Sequence, residues 1–71
     1  MLEANQQEKI LDAAYAVIAR EGYARTSLRQ IAAEAQVAVS QISYHYQNKE
    51  GLLLAVARHV TSTYYEYIQQ Y

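Results

Sequence analysis

Cysteine is absent from the 71 residues, which excludes a disulfide framework and a thiolate zinc site. Proline is also absent and glycine occurs only twice, at positions 22 and 51, whereas alanine, the best helix former, occurs twelve times. Sandwiches, barrels and collagen-like folds need breakers and turn residues that this chain lacks. No apolar run approaches the roughly 18–20 residues that span a bilayer, and the polar start, Met1 to Glu8, is unlike a signal peptide. These features lead us to expect a small intracellular, cytoplasmic domain with no membrane association. At this length only about 60% of the unfolded surface is buried on folding, so the core has little to spare.

An excess of positive charge is missing too. The net charge is −1, which by itself argues against bulk capture of nucleic acid. Its distribution says more. Between Tyr23 and Lys49 stand Arg25, Arg29 and Lys49 against the single acid Glu34, while Glu3, Glu8, Asp12, Glu21, Glu50 and Glu66 lie toward the two ends. An anionic partner is therefore expected to meet the middle of the chain.

Four helices are legible. Ile10, Ala13, Ala14, Val17 and Ile18 recur at spacings of three and four, predicting a helix from about Glu8 to Glu21 that Gly22 stops. Ser27 and Gln30 have capping-box spacing ahead of a short helix over 28–35, with Leu28, Ile31, Ala32 and Ala35 inward. After Gln36-Val37-Ala38, a third helix over 39–46 turns Val37, Ile42 and Tyr46 to the core. Its other face carries Ser40, Gln41, Ser43, Tyr44 and His45. Asn48 is a good N-cap for a fourth helix that nothing interrupts before Tyr71. Leu52, Leu53, Val56, Val60 and Tyr64 form its apolar ridge, and Tyr64, Tyr65, Tyr67 and Tyr71 crowd its end. So small a body cannot cover that aromatic surface, which leads us to expect packing against a missing C-terminal region or a second chain.

Two short helices joined by about three residues, the second rich in small polar side chains, form a helix-turn-helix pattern. A helix entering a groove barely wider than itself must have small or flexible residues at its leading end. Ser40 and Gln41 meet that need: Gln pairs bidentately with adenine, and Ser donates or accepts. Tyr44, His45 and Lys49 follow, where side chains meet the sugar-phosphate backbone. Thr26 and Ser27, with the free amides of a helix start, make an anion site.

The run from Ile10 through Val56 resembles the DNA-binding domain of the TetR (tetracycline-repressor-like) family of bacterial transcription regulators. The resemblance is carried in order by Ile10-Leu11-Asp12-Ala13-Ala14, Gly22-Tyr23, Thr26-Ser27-Leu28-Arg29 and Ile31-Ala32. It continues through Ala35, Val37, Ile42-Ser43-Tyr44-His45-Tyr46, Asn48-Lys49-Glu50 and Leu52-Leu53. It implies an all-α, three-helix DNA-binding domain over residues 1–48, and from 49 to 71 a long fourth helix leading to an absent C-terminal domain. It further implies a homodimeric repressor that dimerises through regions beyond residue 71 and reads palindromic double-stranded operator DNA. A small-molecule effector bound in that further domain would release it. Carried over, base contacts fall on Val39, Ser40 and Gln41, and phosphate contacts on Thr26, Ser27, Arg29, Ser43, Tyr44, His45 and Lys49. The sequence departs from the family at Gln36, where glycine is usual, at Ala38 for a capping serine, at Val39 for a basic residue, and at Ser43 for tyrosine.

Plainer roles stand beside these. Arg29 has Glu21 and Glu34 as surface partners, His45 suits a core position or a metal, and Lys49 suits plain solvent exposure. His59 has no partner at ligand spacing and reads as a solvated helix residue. No carboxylate pair, activated nucleophile, glycine-rich phosphate loop or metal cluster is present, so neither an enzyme nor a resident cofactor or metal is expected. The alternative to DNA binding is a helical protein–protein interaction module presenting the tyrosines of the fourth helix.

Overall fold

A computed structural model describes residues 4–69, apart from the side chains of Ala4 and Thr63. The Tyr71 of the expected aromatic cluster lies outside the described residues. Four helices follow in order: α1 Ala4–Glu21, α2 Leu28–Ala35, α3 Val39–Tyr46 and α4 Lys49–Gln69, with a short 3-10 turn at Tyr23–Arg25. No strand occurs among the described residues. The chain is thus all-α. Helix α1 begins four residues ahead of the expected start, because Ala4-Asn5-Gln6-Gln7 form helix without an apolar rhythm to announce it.

The core collects one face of each helix: Ile10, Ala13, Ala14 and Val17 of α1, Ile31, Ala32 and Ala35 of α2, Ile42 of α3, and Leu52 and Val56 of α4. Alanines on the facing sides of α1 and α2 let those two helices approach closely, and they form the most extensive helix pair. Ile10, Ile31, Ile42, Leu52 and Val17 are fully buried, each contributing about 1.5–3 kcal/mol of transfer free energy. Two positions expected in the apolar ridge of α4 stand out of the core instead: Val60 is 41% exposed and Tyr64 is 65% exposed. Both line an open groove between α4 and α1, with Asp12 and Tyr15 on its other side.

The turns are closed by specific bonds. Gly22 ends α1 with its N–H on the Ile18 carbonyl at 2.8 Å. Its φ of 85° with ψ of 155° is a region open in practice only to glycine. Ser27 and Gln30 form a complete capping box, with the Ser27 N–H donating to Gln30 Oε1 at 2.7 Å and the Gln30 N–H to Ser27 Oγ at 3.2 Å. After α2, Gln36 is left-handed at φ 61° and ψ 44°. Its N–H reaches the Ala33 carbonyl at 3.3 Å and the Val37 N–H reaches Ala32 at 3.0 Å, the paired bonds of a Schellman closure.

The α3–α4 corner is tighter. Gln47 has φ 70° and ψ −56°, and the Asn48 N–H donates to the Tyr46 carbonyl at 2.8 Å. This is a γ-turn of the rare, strained hand. Asn48 caps α4 by accepting from the Gly51 N–H at 2.8 Å. Gly51 has no side chain because one would run into the Tyr46 carbonyl oxygen.

Candidate nucleic-acid interface

Helix α3 is anchored by Ile42, its one fully buried residue, with Val39 and Tyr46 packing partly on the core. Burial raises the Tyr46 phenol above its ordinary pKa. On the outer side Ser40, Gln41 and Tyr44 are exposed, Tyr44 at 81%, and Ser43 and His45 are half-buried. The His45 ring meets Tyr44 edge-on, with centroids 5.2 Å apart. Tyr44 lies one turn beyond the adjacent Ser40 and Gln41, and the three share one surface. Val39 belongs more to the core than to that surface, so only part of its side chain is free to meet a base.

The start of α3 is capped from one side only. Ala38 has no acceptor, and its N–H donates to Gln41 Oε1 at 3.3 Å. Gln41, expected from the sequence to meet a base, thus also closes the start of its own helix.

At the start of α2, Ser27 and Arg29 are exposed. The first amides of a helix lack intrahelical partners, so those of Leu28 and Arg29 point outward with the positive end of the helix dipole. Thr26 differs. It is 3% exposed, its hydroxyl donates to the Gly22 carbonyl at 2.7 Å, and its N–H to the Tyr23 carbonyl at 3.1 Å. Both of its donors are engaged inside the fold.

Lys49 is engaged too. Its Nζ lies 2.9 Å from the Tyr23 and Thr26 carbonyl oxygens and 4.3 Å from the centre of the Tyr23 ring. One ammonium hydrogen is left over. Lys49 therefore ties α4 to the turn ahead of α2, a role that no local pattern announces, since its partners lie 23 and 26 residues away.

The surface acids expected as partners of Arg29 belong to another residue. Arg20 binds Glu21 at 3.2 Å and Glu34 at 3.3 Å, and these two bonds raise its pKa, Glu21 contributing most. Glu34, the one acid between Tyr23 and Lys49, is so neutralised, and Arg29 makes no ion pair among the described residues. Nor is His59 simply solvated: it is half-buried, with Nε2 3.7 Å from Asp12 Oδ1, linking α4 to α1 across 47 positions. Among the described residues no group of three or more His, Asp or Glu could hold a metal, and no helix is long and apolar enough to cross a membrane.

Two short helices set by a Schellman turn, the second showing a polar, acid-free surface, define a helix-turn-helix DNA-binding domain. Residues 10–56 match the family model described as bacterial regulatory proteins, tetR family. The chain belongs to that family of regulatory proteins. It is similar to the probable HTH-type transcriptional regulator YttP of Bacillus subtilis (strain 168), at 34% identity over 65 residues. That match covers 92% of this chain and 30% of the relative, so the chain spans about a third of that relative's length. No solved structure matches the chain.

Proposed function

We propose that the chain reads double-stranded operator DNA through α3 as one half of a homodimer, and that the assembled protein represses transcription in the cytoplasm until a small-molecule effector releases it. The observation that carries the reading is the outer face of α3: exposed Ser40, Gln41 and Tyr44, no acid, and a single buried anchor beneath. Ser40 and Gln41, with the free part of Val39, meet base edges. Ser27, Arg29, Ser43, Tyr44 and His45 meet phosphates around them. Lys49 adds its charge and its remaining N–H at the start of α2, and Thr26 serves by holding the turn that aims that helix. Dimerisation and the effector site belong to chain beyond residue 71, toward which α4 runs.

A second reading has its own support. Tyr64, Tyr65, Tyr67 and Ile68 are all at least half exposed on α4, a surface that suits a protein partner. One substitution separates the two. Ser40→Glu places a negative charge where DNA would lie, so it should abolish duplex binding while leaving any α4 contact intact. Unaltered duplex binding by that variant would exclude α3 as the reading helix. Binding should also weaken steeply with salt. Arg29 and Lys49 are the cations among the phosphate contacts, so each subunit should contribute a log–log slope of about −2.

A further inference from the structure

The half-formed cap at the start of α3 restricts what Gln41 offers to a base. The Ala38 backbone presents an N–H, so the amide atom facing it at 3.3 Å has to be the oxygen, and the bond fixes which way round the Gln41 amide sits. With the oxygen drawn back to the first turn and one of its two lone pairs engaged, the NH2 is the wholly free end of the amide and the group offered to the groove. The start of α2 repeats the arrangement in complete form, where Gln30 holds the Ser27 N–H through Oε1 and receives a bond from Ser27 in return.

We propose that Gln41 is a specificity-determining residue that meets DNA as a donor alone and selects guanine over adenine. This rests on α3 being the reading helix. An adenine pair requires the Gln oxygen to accept from N6 while its nitrogen donates to N7, whereas guanine offers two acceptors, O6 and N7, to a donor. Side-chain chemistry alone favours adenine for a Gln, and the Ala38 bond reverses that preference.

Selection from a random duplex pool, run on the protein and on three variants, tests this. The unaltered protein should enrich guanine at one position, and Gln41→Ala should lower the preference there about tenfold. Gln41→Glu keeps an acceptor for Ala38 but has no donor, and should move the preference toward cytosine. Ala38→Pro suits the φ of −75° and ψ of 143° at that position and removes the N–H, so the freed Gln41 should turn to adenine. Adenine enriched at that position by the unaltered protein would overturn the proposal, as would a Gln41→Ala variant with unchanged preferences. Should Ala38→Pro fail to fold by circular dichroism, the comparison of the unaltered protein with Gln41→Glu decides. Failure of the unaltered protein to enrich any sequence would overturn α3 as the reading helix, and this inference with it.

Discussion

The ammonium of Lys49 sits over the ring of Tyr23 and donates to the carbonyl oxygen of the same residue at 2.9 Å. A second bond of equal length reaches Thr26. Through this contact the first turn of α4 holds the segment that leads into α2. Lys49→Met keeps the stem but removes the bonds, and a charge-assisted bond contributes about 1.5–3 kcal/mol. With the site partly exposed, we expect a loss of about 2 kcal/mol in urea unfolding. A variant of full stability and weaker DNA binding would show Lys49 to act on phosphate alone.

Gly51 opposes the ordinary rule for helices. Replacing an interior helical Gly with Ala usually stabilises by about 1 kcal/mol. Here the new methyl would strike the Tyr46 carbonyl oxygen, which is backbone and cannot swing aside. Gly51→Ala should therefore destabilise by about 1–3 kcal/mol, as overpacked sites do. A higher melting temperature would show that the γ-turn at Gln47 yields easily.

At Gln36 the opposite change should help. A residue with a Cβ in the left-handed region loses about 1–2 kcal/mol there. The greater freedom of Gly in the unfolded chain offsets part of this. Gln36→Gly should raise stability by about 0.5–1 kcal/mol, read from the shift of the urea midpoint at constant slope. No shift, or a downward one, would contradict the observed geometry.

These three positions show what the sequence makes legible. The bounds of α2 and α3 could be read in advance because their signals are local: a capping pair at Ser27 and Gln30, apolar residues at helical spacing, and an interruption between them. Gln36 was suspect because the resembled family has Gly there. Gln47 carried no such mark. The Lys49 and His59 contacts join residues far apart in sequence, and the engagement of Thr26 depends on a 3-10 turn that no motif signals. The exposed face of α3 was legible as chemistry, but not the bond from Ala38 that orients Gln41.

Tyr46 makes stability depend on alkaline pH. Its phenol, half-buried, has a pKa raised by burial above the ordinary value of about 10. The folded state thus holds its proton more tightly than the unfolded state. Its contribution is fully present below pH 10 and is lost as pH rises through the raised value. Urea unfolding at a series of pH values above 9 should show this decline, and Tyr46→Phe should flatten it. An unchanged alkaline decline in the variant would assign the effect to other groups.

The central claim, that α3 reads sequence, is tested most directly by comparing affinities for a selected duplex and its scrambled counterpart at one salt concentration. The account predicts that the protein prefers the selected duplex at least about tenfold. Changing Ser40 and Gln41 together to Ala should lower the ratio about tenfold or more, while the salt dependence set by the phosphate contacts stays the same. A preference undiminished by the double change would contradict it.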